Sequence, residues 1–429
     1  MRVKDAPARI RPPYFSSCRH KSVTTHMRIL YVHEQFGAFG GAETNVLATA
    51  TELKRRGHEV ALLHRDVTGR AEAQWRETFA LRFQLGAGPA GPQVTRILES
   101  FHPHTVFLHK MADLGVVEAL THGTIPVVRM VHDHDLYCMR GYKYNPLSRR
   151  VCTRAASPFC LFPCGASVAR NHGAGWPVRW IDYGAKQREI RLNRRFHRLI
   201  VASNYMREEL LRNGFVPERI ETHAPVPPQS DQAETSSFGP RNRIVYAGQI
   251  IRGKGVDVLL EALARVVQPF ECLILGEGGH RPACEALSRR LGLEDRVHFR
   301  GFVSPAEIAV LYREATLAVM SSVWPEPFGA VGLEAMRCGL PVVAFDAGGI
   351  REWLHDGVNG FMVPWMDRAR FAGRVDELLA DKALARRLGA EARRWAEDRF
   401  NFSGYVRGLE DLFLRVIEAP ASTAASAPL

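Results

Sequence analysis

Two carboxylates, Glu326 and Glu334, stand with seven residues between them in the stretch Ser321–Val363. Glu326 lies between Pro325 and Pro327, which keeps it out of a helix and in an extended, pre-set loop. Phe328 and Gly329 follow, then AVGLEAMRC, a run of good helix formers that carries Glu334 about one turn in. One carboxylate is thus presented from a loop and the other from the helix behind it. Between them, around Phe328, Gly329, Ala330 and Val331, lies a helix N-terminus whose free N–H groups suit a phosphate. A carboxylate accepts hydrogen bonds from hydroxyls, and its two oxygens can take a vicinal diol. Two such groups flanking an anion site suit a sugar, a diphosphate and a ribose in line. Taken alone, the spacing favours the plainer reading of an exposed acidic loop followed by an ordinary core helix.

Other chemistry-bearing residues sit in glycine-rich turns. GQIIRGKG places Lys254 between Gly253 and Gly255, ahead of a helix expected over Val256–Val267, within reach of a phosphate at that helix start. Arg252 is a second cation in the same loop, and Gln249 a donor without charge. His132 and His134 follow the apolar run Pro126–Val131, at the carboxyl end of a strand, where parallel sheets gather ligands. Asp133 and Asp135 form a D-x-D, a short metal signature. Cys138, Cys152, Cys160 and Cys164 cluster within one segment, which fits either a structural zinc or unligated thiols. Neither GAFGGAETN, with Gly37, Gly40 and Gly41, nor Gly276-Glu277-Gly278 completes a dinucleotide G-x-G-x-x-G.

The elements needed to hold these residues are legible as short apolar runs alternating with helical patterns. Arg28–His33, Glu59–His64, Thr105–Leu108, Pro126–Val131 and Leu199–Ala202 read as strands of one covered parallel sheet. Arg243–Ala247, Glu271–Leu275, Arg296–Val303, Leu317–Met320 and Leu340–Ala344 read as a second. The division expected is an N-terminal extension over 1–26, a first Rossmann-like domain over 27–222 with a cysteine-containing insertion at 137–180, a Pro/Ser-rich linker over 223–240, a second Rossmann-like domain over 241–400, a final helix over 401–418 and a tail over 419–429. Arg370–Glu397 is expected to be helical.

The 429 residues allow two or three domains, and a hydrophobic fraction of 46% with 24% charged residues is that of a globular chain. No apolar run reaches the length of a membrane span. The net charge of +12 attracts phosphates without choosing their carrier. The basic stretch Lys186–Arg198 is either a solvated helix face or a contact for anionic lipid headgroups, and lacks the interleaved aromatics of a nucleic-acid surface.

The pieces PEPFG, GLEAM, GLPVVA, GGI-E and DG-NG, in that order, resemble the donor-binding signature of the retaining glycosyltransferases of family 4. The resemblance covers about Met27–Ile417. It implies the GT-B fold: two Rossmann-like domains facing a cleft, the last helix crossing back onto the first. It further implies transfer of a sugar from a nucleotide-diphosphate donor to a hydroxyl of a glycan, lipid or small molecule, with retained configuration and no required cofactor, in the cytoplasm or at the inner face of the membrane. By the same resemblance Lys254 meets the diphosphate, Glu326 the sugar hydroxyls, Glu334 the ribose diol and His132 the sugar near the reacting carbon. Gly41, Gln249, Arg252, Gly276 and the Phe302 segment join Phe328–Val331 as donor contacts. Gln249 departs from the family's usual arginine. A non-catalytic sugar-nucleotide-binding relative and a sugar-nucleotide epimerase on the same fold are the alternatives.

Overall fold

A computed structural model of the chain describes residues 26–37, 40–145, 148–170, 178–228 and 235–419. The expected extension (apart from His26) and the expected tail (apart from Ala419) lie outside the described residues, as do parts of the insertion and linker.

The first sheet has seven strands: β1 Arg28–Val32, β2 Glu59–His64, β3 Leu81–Gln84, β4 Thr105–Leu108, β5 Val127–Val131, β6 Arg198–Val201 and β7 Ile220–Thr222. All pairs are parallel, in the order β7-β6-β5-β4-β1-β2-β3. The second sheet has six: β8 Arg243–Ala247, β9 Glu271–Leu275, β10 Val297–Gly301, β11 Leu317–Met320, β12 Val342–Phe345 and β13 Gly360–Val363. Its order is β10-β9-β8-β11-β12-β13, again all parallel. Central strands are buried on both faces, so they read as unbroken apolar runs such as RILYV and LAVM. The order reverses between β1 and β4, and between β8 and β11. At such points the loops leaving neighbouring strands diverge to opposite faces and open a crevice at the strands' carboxyl ends. These two crevices position the candidate site.

The edge strands β3, β7 and β13 fall outside the expected set. LRFQ and IET are short and partly exposed, as strand edges commonly are. The helical stretch expected over Arg370–Glu397 is divided into two helices, Arg368–Ala380 and Lys382–Arg399. Asp381 separates them, because its side chain accepts from the Leu384 N–H and caps the second.

The last helix, Phe402–Glu418, returns to the first domain. Its Tyr405, Leu409, Leu412 and Phe413 share one core with Ile29, Tyr31, Leu53 and Phe107, and the Phe413 and Phe107 rings lie 5.1 Å apart. The basic helix Tyr183–Asn193 keeps most of its arginines exposed and pairs part of its charge within the protein. Lys186 binds Glu189 and the Asp135 carbonyl, Arg188 binds Glu118, and Arg194, just past its end, donates to the Asn213 carbonyl.

Candidate active site

The crevice between β8 and β11 gathers the residues singled out in the second domain. After β8 the chain turns through the short helix Arg252–Lys254 and Gly255. Gly255 has φ 67°, and a Cβ there would stand 2.1 Å from the Ser321 carbonyl oxygen, so only glycine fits. This close approach lays Lys254 beside the loop that leaves β11. Lys254 Nζ donates to Glu326 Oε1 at 2.7 Å and to Oε2 at 3.0 Å. Ser322 Oγ and Trp324 Nε1 also donate to Oε1, the latter at 3.1 Å. Glu326 is only 2% exposed. Burial pushes its carboxyl pKa up, yet Lys254, Ser322 and Trp324 together hold it below the usual carboxylate range. Its acceptor positions are therefore largely filled. Oε1 takes three of these donors and Oε2 only Lys254, so a sugar hydroxyl meeting Glu326 would be accepted at Oε2.

The helix expected after Gly329 spans Ala330–Arg337. Gly329 is left-handed at φ 84°, and Trp353 Nε1 donates to the Phe328 carbonyl at 2.8 Å, which fixes the turn into the helix. Glu334 is half-buried on this helix, and its carboxyl receives no hydrogen bond from the described residues. Burial pushes it up to about 7, and the nearby Arg337 charge draws it only partly back. Arg337 itself reaches across to the Pro227 and Phe400 carbonyls at 2.9 and 2.8 Å. Gly276 adopts φ 143°, and a Cβ there would stand 1.9 Å from the Gly248 carbonyl oxygen. Gln249 and Arg252 are exposed, as is Gly41 at the start of its helix. Phe302, at 72% exposure, stands in solvent.

The crevice between β1 and β4 holds a cavity of about 1390 Å³, walled on one side by Ile251, Arg252 and Gly253 of the second domain. Its first-domain wall is made by strand ends: His33 after β1, His109 and Lys110 after β4, His132 and Asp133 after β5. His132 Nε2 and His109 Nδ1 are 2.8 Å apart. Burial pushes His132 down to about 3, against the pull of the Asp133 carboxylate, so its ring is neutral. Asp133 pairs with Lys110 at 2.5 Å. Asp135 is pushed up to about 6 by burial and by Asp133. His134 turns away from the cavity and is fully buried. It bonds the Tyr137 hydroxyl and, at 2.7 Å, the carbonyl of Pro325, next to Glu326. A second bridge between the domains runs from the backbone N–H of Asn204 to Glu352, at 2.7 Å.

The family profile described as Glycosyl transferases group 1 matches residues 229–395, and that described as Glycosyltransferase Family 4 matches residues 39–224. The chain belongs to the family 4, group 1 glycosyltransferases. The D-inositol 3-phosphate glycosyltransferase of Streptomyces bingchenggensis is 35% identical over 181 residues, 39% of each chain. The alpha-D-kanosaminyltransferase of Streptomyces kanamyceticus is 31% identical over 178 residues, 41% of this chain and 46% of that one. These alignments span less than half of either relative. Anabaena Alr3699/HepE, solved with UDP and glucose, superposes with a TM-score of 0.69 at 21% identity, covering 91% of this chain and 100% of that one. Sucrose-phosphate synthase from Thermosynechococcus elongatus gives 0.68 at 19% identity, covering 92% and 100%. Both likenesses identify the fold as GT-B.

Within this chain the residues expected to act together fall into two groups. Lys254 and Glu326 touch, with Glu334 on the helix that follows. His132 and Arg252 line the cavity, and Lys254, Glu326 and Glu334 are not among its lining residues. Cys138, Cys152, Cys160 and Cys164 are all free and half-buried. Among the described residues no three His, Cys, Asp or Glu side chains are arranged to hold a metal ion. Arg140 donates to Cys164 Sγ at 3.4 Å and to its carbonyl. His33, His109, Lys110 and the bridging role of His134 escape a motif reading. Their one signal is position: each follows a buried strand.

Proposed function

We propose that the chain transfers a sugar from a nucleotide-diphosphate sugar to an acceptor hydroxyl with retention of anomeric configuration, without a cofactor. The observation that carries this reading is the pairing of Lys254 with Glu326, ahead of a helix N-terminus and of Glu334, a carboxyl with no hydrogen-bond partner among the described residues. An ammonium has three N–H donors, and Glu326 engages Lys254 through its two oxygens, leaving donor capacity for a diphosphate oxygen. The amides at Ala330 and Val331 meet the same anion, Arg252 adds charge from the cavity side, and Glu334 accepts from the ribose diol. Stabilising a departing diphosphate is commonly a dominant catalytic contribution. Neither Glu326 nor Glu334 is free in this reading to act as a nucleophile beneath the anomeric carbon or as a base on the far face. A diphosphate oxygen on the departing face takes the acceptor proton, so the acceptor enters on that face. The cavity of about 1390 Å³ in front of His132 has room for that acceptor. The UDP and UDP-glucose held by the Anabaena neighbour support a nucleotide-linked donor.

The test is a panel of nucleotide sugars with candidate acceptors, followed by proton NMR of the purified product. An α-linked donor is expected to give an α-linked product. A β-linked product, or no transfer from any donor, would overturn the reading.

A further inference from the structure

The reading of His132 as the sugar contact leaves open which of its two nitrogens carries the proton, and the structure bears on this through a residue one strand away. We infer that His109 is a positioning residue: its Nδ1–H donates to His132 Nε2, which holds the His132 proton on Nδ1 as a hydrogen-bond donor toward the cavity.

The geometry is that of a direct bond in the ring plane. The nitrogens are 2.8 Å apart and the ring centroids 5.1 Å apart, with planes 20° from parallel. That centroid distance is little more than the bond plus two ring radii, so the rings meet edge to edge and do not overlap. Sheet order produces the contact, since β4 and β5 are parallel neighbours and each histidine directly follows the carboxyl end of its strand.

Both rings are neutral, because burial lowers the affinity of each for a second proton. A neutral imidazole has one donor and one acceptor. Two arrangements then satisfy the bond. If His132 donated from Nε2, the His109 proton would sit on its own Nε2, and that atom is buried without a partner. If His109 donates from Nδ1, the same atom is a bare lone pair. Buried N–H groups without an acceptor are the rarer orphan, which selects the second arrangement. His132 then keeps its proton on Nδ1, which has no partner among the described residues, on a residue lining the cavity. His33 takes no part in this bond, since its Nδ1 is engaged at Gln35 and its ring lies 6.5 Å from that of His109.

The experiment is long-range proton–nitrogen correlation NMR on the full chain with ¹⁵N-labelled histidine, His132 being assigned by its loss in His132→Asn. The wild type is expected to show His132 protonated on Nδ1. His109→Asn keeps an N–H near the position of Nδ1 and should preserve that tautomer, whereas His109→Leu should release it to Nε2. In parallel, His109→Leu should lower kcat about 10–100-fold, the range for outer partners that orient a functional histidine. KM for the donor should change little, and His109→Asn should restore most of the rate. An Nε2-protonated His132 in the wild type overturns the inference. A folded His109→Asn as impaired as His109→Leu overturns it too. Absence of sugar transfer by the wild type would remove the functional reading, and the tautomer spectrum would still decide this one.

Discussion

Lys254 and Glu326 neutralise one another across 2.7 Å, and this changes what each can contribute. A carboxylate so close to the proposed diphosphate site opposes the anion, so Glu326→Gln should leave nucleoside diphosphate affinity equal or higher while sugar transfer falls. Glu334→Ala should weaken the same affinity by about 1.5–3 kcal/mol, the loss of a hydrogen bond to a charged group. Calorimetric titration of both variants checks this, and equal losses would remove the ribose assignment. Glu334 also carries a pH signature. Its folded value of about 7 lies above the ordinary 4.5, so between these values the folded state holds more protons than the unfolded. Stability contributed by the protonated carboxyl is present below about pH 4.5, is lost as the pH rises, and levels off above about 7. The shift corresponds to about 3 kcal/mol. Urea melts from pH 5 to 8 should show this fall, and Glu334→Gln should flatten it. The Glu-x7-Glu spacing made Glu334 legible in the sequence. The Lys254–Glu326 bond was not, because 72 residues separate the partners and only the β8–β11 adjacency joins them.

Elements buried on both faces announce themselves, and those at edges do not. RIVYA and VVAF permit little but a central strand, whereas LRFQ leaves its half-exposed pairing unstated. The periodicity of Arg368–Arg399 runs through its break because Asp381 interrupts it with a single capping side chain. His132 was legible from its place after a strand, yet His109 holds the same place one strand over, and strand order is not written in local pattern. The phosphate-facing helix is fixed more tightly than its sequence suggests. Gly332 packs against Trp353, and a Cβ there would stand 2.1 Å from the indole and 2.8 Å from the Met320 sulfur. Gly332→Ala should therefore displace Ala330–Arg337, costing about 1–3 kcal/mol as overpacking does. Thermal melts and a diphosphate titration together test this. A variant that loses stability but binds diphosphate normally would detach anion binding from the placement of that helix.

The two domains are joined at the interdomain passages by one buried cation. Arg337 donates to the carbonyl of Pro227, where the chain leaves the first domain, and to that of Phe400, where it returns. The same guanidinium is the charge that draws Glu334 downward. A side chain on the proposed nucleotide-binding helix thus holds both connections, and the charge state of its neighbour depends on it. Arg337→Met keeps much of the apolar stem and removes the donors and the charge. Two carbonyls then lose their partner, at about 1–3 kcal/mol for each left unsatisfied. Relief of the desolvation that depresses the Arg337 pKa offsets part of this. The net expectation is a loss of about 1–3 kcal/mol, seen as a lower Tm. With the guanidinium gone, Glu334 should rise further, so the fall of stability with pH should extend above about 7 in this variant. The pH profile separates this account from simple loosening, because a packing defect lowers stability equally at every pH. An Arg337→Met profile parallel to the wild type from pH 5 to 8 would show that Arg337 ties the connections together without tuning Glu334.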